Sequence, residues 1–402
     1  MQKTHFIARV LPSLGIAALF AGCSGPGLSE RVTPPGPAAD SQTPPAQTLV
    51  NPDAAAVEFA YVTNAGSSNI SAYKIDATSG ALSKVPGSPF TAGSAALAAA
   101  VDPTGKFLYV VNDGSANVSA YTINASSGAL KLVKGSPFAA GTNPDAVAVD
   151  PAGKFVYVAN SGNNDVSAYK INANSGALTQ LAGSPFATGS SPIAATVDPN
   201  GKFAYVANFN DNDVSAYAIN AANGALTQVA GSPFAAGSAP TGVVVDPKAA
   251  FAYVSNDGSS NVSAYAVDNS TGALTQLSGS PFAAGANPGG VALDPGGKYA
   301  YVPNYTSDNV SAYKVSLGSG ALTQIKGSPF SACSEATGMA VDSSGTFTYA
   351  LNYGSANISA YKINAKSGVL MKVKGSPFAA GTGPAWMAMC RRSGNACKPP
   401  PL

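Results

Sequence analysis

One 48-residue unit occurs seven times in succession between residue 59 and about residue 394, without an insertion or a deletion. The copies begin at aromatic residues: Phe59, Phe107, Phe155, Phe203, Phe251, Tyr299 and Phe347. A fixed period of about 20–50 residues is typical of a repeat architecture. A residue shared by all copies is therefore explained first by the fold, and chemistry is expected where the copies differ.

The pattern within one copy predicts four β-strands. In the second copy, residues 107–112 and 117–123 are rich in β-branched and aromatic side chains, and both predict strands. Residues 129–133 predict a more polar edge strand, and residues 145–149 predict a strand of small apolar residues at the centre. Seven units of four antiparallel strands, without a helical pattern, predict an all-β fold, a seven-bladed β-propeller.

The ends of the repeat region predict how the ring closes. The first copy has no convincing inner strand before Phe59, whereas residues 385–390 align with the inner strands and have no copy after them. We therefore expect the C-terminal strand to complete the first blade beside the strand that begins at Phe59. Such closure removes sheet edges that would otherwise favour aggregation.

The N-terminal segment predicts export. Lys3 and Arg9 precede a short apolar stretch within residues 1–22, which is typical of a signal peptide. The sequence ending at Cys23 resembles a bacterial lipobox, although Phe20 stands where Leu is usual; this resemblance implies lipidation of Cys23. An ordinary secretory signal is the alternative.

The predicted domains follow from this organisation. Residues 1–22 form the signal, residues 23–55 a tether rich in Pro, Ala and Ser, residues 56–394 the propeller, and residues 395–402 a tail. We expect a protein of the bacterial cell envelope, held by lipid at the outer membrane or cell surface.

Charge and cysteine content limit the partners. Charged residues make up 10% of the chain and form no basic patch, so nucleic acid is not an expected partner. An envelope protein or a glycan is the expected partner of a monomer that needs no cofactor or metal. Cys390 and Cys397 are predicted to form a disulfide, and pairing of Cys333 with either stays open.

The residues Tyr61-Val62-Thr63-Asn64 resemble the signature of the YVTN family of β-propellers, and the whole repeat region resembles the seven-bladed lactonase-type group. The resemblance implies the propeller fold and, as an alternative function, a lactonase-like hydrolase related to 6-phosphogluconolactonase. Enzymes of that group are expected to use His, Arg or Glu near the central channel.

This chain departs from that expectation. Its one histidine, His5, lies in the predicted signal, and the predicted inner strands hold small apolar residues without arginine. Repeated aspartates such as Asp150 mostly precede Pro, and Gly usually follows in the same turn, which favours a structural role. The sequence therefore favours a non-catalytic binding or scaffold module over the hydrolase, with a laterally packing envelope protein as a third interpretation.

The copies differ in two connections that emerge on one face of the predicted blades. That face carries the predicted ligand-binding residues: Phe209, Tyr305, Tyr353, Trp386, Asp145 and Glu335. Aromatic rings and acids around a channel mouth are typical of ligand, glycan or protein binding. Sequence drift in tolerant loops is the alternative.

Overall fold

The computed structural model describes residues 57–393 and 396–398. Seven antiparallel sheets form a ring, which confirms the seven-bladed propeller. We number the blades 1 to 7 in chain order of their second strands. In each blade the inner strand pairs with the second, the second with the third, and the third with the outer strand. The compact unit that contains them begins at Val57.

The strands have nearly the same bounds in every blade. The inner strands, from blade 1 to blade 7, are Pro384–Ser393, Ala96–Val101, Pro144–Val149, Pro192–Val197, Pro240–Val245, Ala292–Leu293 and Ala336–Val341. The second strands are Glu58–Asn64, Phe107–Asn112, Phe155–Asn160, Phe203–Asn208, Phe251–Asn256, Tyr299–Asn304 and Phe347–Asn352. The third strands are Asn69–Ile75, Asn117–Ile123, Asp165–Ile171, Asp213–Ile219, Asn261–Val267, Asn309–Val315 and Asn357–Ile363.

The outer strands are short. They are Leu82–Lys84, Leu130–Leu132, Leu178–Gln180, Leu226–Gln228, Leu274–Gln276, Leu322–Gln324 and Leu370–Lys372. The long connection after each contains a two-residue strand that the sequence did not predict: Phe90–Thr91, Phe138–Ala139, Phe186–Ala187, Phe234–Ala235, Phe282–Ala283, Phe330–Ser331 and Phe378–Ala379. Each pairs with the first two residues of its third strand. A 3₁₀ turn, Asp113–Ser115, and a strand, Ala396–Lys398, complete the described elements.

The core lies between neighbouring blades. Six of the seven second strands are buried along their whole length because adjacent blades cover both of their faces, and in the remaining one, Phe251–Asn256, Phe251 is half-buried. This explains why they read as continuous runs of Val, Ala, Tyr and Phe rather than as an alternating pattern. The inner strands crowd around the axis, where small residues such as Ala and Val leave room for seven chains.

Two series of tyrosines join the blades. In every second strand a Tyr hydroxyl donates to a glycine carbonyl of the following blade, as Tyr61 does to Gly128 at 3.0 Å. In every third strand a Tyr hydroxyl donates to the preceding blade, as Tyr121 does to Thr91 at 2.7 Å. The conserved pattern of the copies is therefore a pattern of contacts between blades.

Ring closure occurs as the sequence predicts. The strand Pro384–Ser393 pairs with Glu58–Asn64, from Pro384 opposite Asn64 to Arg391 opposite Glu58. The Tyr349 hydroxyl of blade 7 donates to the Gly80 carbonyl of blade 1 at 2.9 Å, as at every other blade junction. Closure therefore repeats the internal geometry of the ring.

The strand pairing defines two faces. The upper face carries the turns from second to third strands and the connections into the inner strands; the lower face carries the other two sets of turns. A buried Asn ends each second strand on the upper side, and Asn112 illustrates its role. Its side-chain NH2 group donates to the Ser119 hydroxyl at 2.9 Å, and its side-chain oxygen accepts from the Gly93 backbone amide at 3.0 Å.

No helix among the described residues is long and apolar enough to cross a membrane. The predicted signal, Cys23 and the tether lie outside the described residues.

Candidate functional site

The candidate site is the mouth of the central channel on the upper face. Inner-strand positions two and five are half-exposed in most blades, and they therefore line the channel. Leu97, Ile193 and Thr241 occupy position two in blades 2, 4 and 5. Blade 3 has Asp145 at this position, so its carboxyl group stands in a wall of otherwise uncharged side chains.

The surroundings of Asp145 favour its protonated form. Burial raises the pKa of the Asp145 carboxyl to about 7, the Ser161 hydroxyl opposes the rise, and the negative charge of Asp113 adds to it. A carboxyl group with this pKa is present in both protonation states at neutral pH, which is the property a general base or acid needs.

Asp113 is the second carboxyl of this corner. It is 6% exposed at the start of the 3₁₀ turn of blade 2, and burial raises its pKa. Asn143 lies two residues before Asp145, and its side-chain amide donates to Asp113 Oδ1 at 3.0 Å. This hydrogen bond ties the turn of blade 2 to the connection that carries Asp145, so the two carboxyl groups are held near each other.

Trp386 provides an apolar surface at the same mouth. It lies on the inner strand of blade 1, opposite Thr63, and 45% of its surface is exposed. The Thr63 hydroxyl accepts from the Trp386 amide at 3.1 Å and donates to the Leu97 carbonyl at 2.6 Å, which fixes the strand. The six-membered ring of Trp386 reaches the inner connection of blade 6, 3.8 Å from where a Cβ on Gly290 would lie.

The Trp386 ring can lie beside the inner connection of blade 6 because the inner strand of this blade is short. Pro303 in the second strand has no amide hydrogen for the ladder, and the inner partner is reduced to Ala292–Leu293 with an isolated bridge at Pro288. The Pro-Gly-Gly sequence before this strand thus replaces a regular strand wall with open backbone beside Trp386.

Glu335 and Tyr353 form a pair on blade 7. The Tyr353 amide donates to the Glu335 carbonyl at 2.8 Å, and burial together with the charge of Glu335 raises the pKa of the Tyr353 hydroxyl. The Tyr353 ring packs against Gly383, three residues before Trp386. Glu335, Tyr353 and Trp386 therefore occupy adjoining blades, 7 and 1.

The other two predicted residues lie farther along the ring. Phe209 and Tyr305 are half-buried in the upper turns of blades 4 and 6, where their amides donate to Ser191 and Asn287. The structure thus places all six predicted residues on one face and distributes them over blades 1, 3, 4, 6 and 7. Sequence analysis missed Asp113, whose signal was an Asp directly after the second strand, where only Asp257 among the other copies has a carboxyl group.

The upper face is acidic. Eight carboxyl groups lie in its turns and connections or at the adjoining strand ends: Asp113, Asp145, Asp165, Asp211, Asp213, Asp257, Asp308 and Glu335. The lysines of the described connections, Lys134, Lys326 and Lys374, follow the outer strands and lie at the outer edge of the ring. A negatively charged ligand approaching the mouth would meet repulsion without a cation to bind it. No group of three or more His, Cys, Asp or Glu side chains among the described residues could hold a metal ion.

The cysteines have separate roles. Cys390 in the closing strand, opposite Phe59, is disulfide-bonded. Its predicted partner, Cys397, has no described side chain. Cys333 carries a thiol that is 3% exposed, and the Ser359 hydroxyl lies 3.7 Å from its Sγ.

A family model described as "Lactonase, 7-bladed beta-propeller" matches residues 28–237, 146–333 and 226–388. Among solved structures, a putative 6-phosphogluconolactonase from Bacteroides uniformis covers 83% of this chain and 99% of its own, with a TM-score of 0.73 and 20% identity. A putative 6-phosphogluconolactonase from Bacteroides fragilis covers 86% and 99%, with a TM-score of 0.73 and 19% identity.

A periplasmic gluconolactonase from Pseudomonas aeruginosa covers 83% of this chain and 99% of its own, with a TM-score of 0.72 and 19% identity. At these identities the likeness concerns the fold. No curated protein matches the chain. The family match favours the hydrolase alternative over the non-catalytic module that the sequence favoured.

Proposed function

Because the chain belongs to the lactonase family of seven-bladed β-propellers, we propose that it hydrolyses an uncharged sugar lactone at the upper mouth of its channel. The observation that carries the proposal is Asp145, a carboxyl group on an inner strand with a pKa of about 7. Its ionised form serves as the general base for an attacking water molecule.

The hydrolysis needs two proton transfers, one from water to Asp145 and one from Asp145 to the ring oxygen of the lactone. Asp145 takes a proton from water as the water oxygen attacks the lactone carbonyl carbon. The ring carbon–oxygen bond then breaks, and the proton passes to the departing ring oxygen, which becomes a hydroxyl group. The product is an open-chain hydroxy acid, which ionises at neutral pH.

The charge of the upper face supports an uncharged substrate. Eight carboxyl groups disfavour a phosphorylated lactone, since a phosphate needs cationic donors and the lysines of the described connections lie at the outer edge of the ring. A neutral lactone meets no such repulsion. Its anionic product does, and this repulsion favours product release.

Trp386 supports the binding of a sugar ring. Its exposed indole offers a flat apolar surface with a fixed backbone, as aromatic residues do in many ligand sites. It is also the one tryptophan of the chain, so its fluorescence reports on the mouth alone.

The direct test is hydrolysis of glucono-1,5-lactone, followed by acid release after subtraction of the spontaneous reaction. We expect kcat/KM to rise with pH through about 7, because only ionised Asp145 accepts the proton. Asp145→Asn should lower kcat by about 10²–10⁴-fold, the usual effect of losing a general base. The control Asp211→Asn removes an exposed upper-face charge and should leave kcat unchanged.

Ligand binding without turnover is the second candidate, and the exposed Trp386 together with Tyr353 is the observation that favours it. Fluorescence titration of Trp386 with lactone and with neutral oligosaccharides separates the two functions. A fluorescence change without acid release would support the binding module and contradict the hydrolase. Full turnover in Asp145→Asn would equally contradict the assigned base.

Export to the envelope and lipidation of Cys23 remain proposals of the same kind. Labelling of the expressed chain with a radioactive fatty acid, compared with Cys23→Ala, tests both. Absence of label in the unchanged chain would contradict the lipid anchor.

A further inference from the structure

The cations of the propeller are concentrated on the side opposite the channel mouth. Lys106, Lys154, Lys202 and Lys298 hold the same position in blades 2, 3, 4 and 6, immediately before the second strand. Lys248 lies in the adjoining turn of blade 5. All five side chains are exposed. The lower face therefore presents a ring of ammonium groups, which we call the lysine ring.

The acids of the same face do not cancel this ring, because most of them point inward. Asp102 shows the arrangement: its Oδ1 accepts from the Lys106 amide at 2.8 Å and from the Phe107 amide at 2.7 Å. The equivalent aspartates of the other turns accept the same bonds and are 1–8% exposed. Backbone amides thus bind these carboxylates below the surface, while the lysine side chains beside them extend into solvent.

A groove on blade 6 adds an apolar contact beside the lysine ring. It has a volume of about 620 Å³ and is lined by Lys298, Tyr299, Lys314, Leu317 and Thr323 among others. Leu317 in the lower turn is 46% exposed. Two ammonium groups beside an exposed leucine form a combination that suits a phosphate headgroup with an adjoining acyl chain.

The course of the chain points to the same side. Glu58 pairs with Ile75 at the lower end of blade 1, and Val57 precedes it. The described part of the chain therefore begins on the lower face.

We propose that the lower face of the propeller is a docking surface for a membrane of anionic phospholipids, with a headgroup in the blade 6 groove. The lysines supply attraction to phosphate, and Leu317 supplies a shallow apolar contact. The inference does not depend on the proposed hydrolysis, since the two faces are separate.

The test is vesicle co-sedimentation with the full chain carrying Cys23→Ala, so that no lipid on the protein contributes. Vesicles contain phosphatidylcholine alone or phosphatidylcholine with about 30% phosphatidylglycerol. We expect binding to the anionic vesicles only, and its loss when salt is raised to about 1 M, where the Debye length falls to about 3 Å.

Two matched lysine variants locate the surface. The ring variant combines Lys106→Gln, Lys154→Gln, Lys202→Gln and Lys298→Gln and should weaken binding by at least about a hundredfold, at roughly fivefold for each lysine. The rim variant changes four exposed lysines of the outer edge instead: Lys84, Lys134, Lys326 and Lys374. It carries the same net charge and should bind within a few-fold of the unchanged chain.

A second comparison tests the groove. Lys298→Gln with Lys314→Gln should weaken binding more than Lys154→Gln with Lys170→Gln, which hold the same positions in blade 3 without an exposed leucine. Equal losses would overturn the headgroup site.

Three results would overturn the surface itself. They are binding to neutral vesicles alone, equal loss in the rim variant, and oligomers that the ring variant abolishes in light scattering while vesicles stay unbound. The last would assign the lysines to the acidic upper face of a second copy.

Discussion

Two carboxyl groups of the propeller have pKa values near neutrality, and both stand where other copies hold a different residue. Asp145 replaces the uncharged residues of other inner strands, and Glu58 replaces the lysine of blades 2, 3, 4 and 6. Repeat proteins usually vary where variation is harmless. At these two positions, instead, a carboxyl group is buried although burial destabilises its ionised form. One lies at the channel mouth and the other at the ring closure.

Glu58 lies at the junction of blades 1 and 7. It is 6% exposed, and its carboxylate accepts from the Ser343 amide at 3.1 Å and from the Ser343 hydroxyl at 3.0 Å. Burial raises its pKa to about 7, with a further rise from Asp342; the Ser343 bonds and Arg391 oppose it. Sequence analysis could not identify this pair, because the two blades meet only when the ring is closed.

The protonation of Glu58 makes stability depend on pH. Between pH 4.5 and about 7 the folded protein keeps a proton that the unfolded chain has released. The free energy of unfolding therefore falls as pH rises through this range and is not reduced further above it. Glu58→Gln keeps the acceptor for Ser343 and has no charge, so it should be more stable than the unchanged protein at pH 8 by up to about 3 kcal/mol.

Urea unfolding at about pH 4 and about pH 8 measures this difference. The two proteins should agree at the lower pH and diverge at the higher one. Lys106→Gln, at the equivalent position of blade 2, is the control and should show no such divergence. A destabilised Glu58→Gln at pH 8 would show that the ionised carboxylate stabilises the closure.

At the scale of the blade, the turn between third and outer strands explains a glycine found in every copy. Gly128 has a φ of +74° and accepts the Tyr61 hydroxyl through its carbonyl oxygen. A Cβ there would lie 2.4 Å from the ring of Phe59 in the neighbouring blade. One residue therefore satisfies a turn, a hydrogen bond and a close contact between blades.

Gly128→Ala tests this arrangement. The left-handed conformation and the overlap with Phe59 together should destabilise the propeller by about 2–5 kcal/mol. Gly318→Ala is the control in the same turn of blade 6, where a Cβ meets no atom within 4 Å and φ is not positive. Its effect should stay within about 0.5 kcal/mol in denaturant unfolding. Equal losses of stability in the two variants would mean that neither the left-handed conformation of Gly128 nor its contact with Phe59 determines the effect.

The elements themselves were predictable because local sequence and repeat period agree. Four strands, their order and their turns follow from one copy, since Asn, Gly and Asp-Pro mark each reversal. The two-residue strands such as Phe90–Thr91 were not predictable, because their pairing with Asn69 and Ile70 depends on the folded connection. The shortened inner strand of blade 6 was also missed, although Pro303 and the Gly-Gly pair were its signals.

The candidate site was predictable only in part. The variable loops identified the upper face and its six residues, because loops on one side of a propeller share a surface. Their mutual arrangement was not predictable: Tyr353 packs near Trp386 through Gly383, and Asp145 lies beside Asp113 through Asn143. These contacts join different blades, and the sequence of one copy contains no information on its neighbours.

At the scale of the whole molecule, the propeller is polarised. Carboxyl groups without described cations surround the upper mouth, whereas exposed lysines ring the lower face and join the outer rim. With a formal net charge of +2, composition alone suggests a nearly neutral protein. The separation arises because the aspartates of the lower turns are buried against backbone amides, whereas the lysines beside them in blades 2 to 6 are exposed.

The closing strand determines whether this ring exists. Pro384–Ser393 supplies the inner partner of Glu58–Asn64, and no other described strand pairs with that side of it. Deleting residues 384–402 should leave a buried strand with an unpaired edge, and we expect loss of cooperative unfolding together with aggregation in size-exclusion chromatography. Deleting only residues 394–402 keeps the strand and should preserve a folded monomer.

A peptide of residues 384–393 sharpens the test, because it can replace the missing strand without a covalent link. Added to the shorter protein, it should restore a soluble monomer with one sharp unfolding transition. A scrambled peptide of the same composition should not, since the ladder needs Trp386 opposite Thr63 and Cys390 opposite Phe59. A monomer that folds cooperatively without any peptide would show that the contacts between blades, including the Tyr349 bond to Gly80, close the ring on their own.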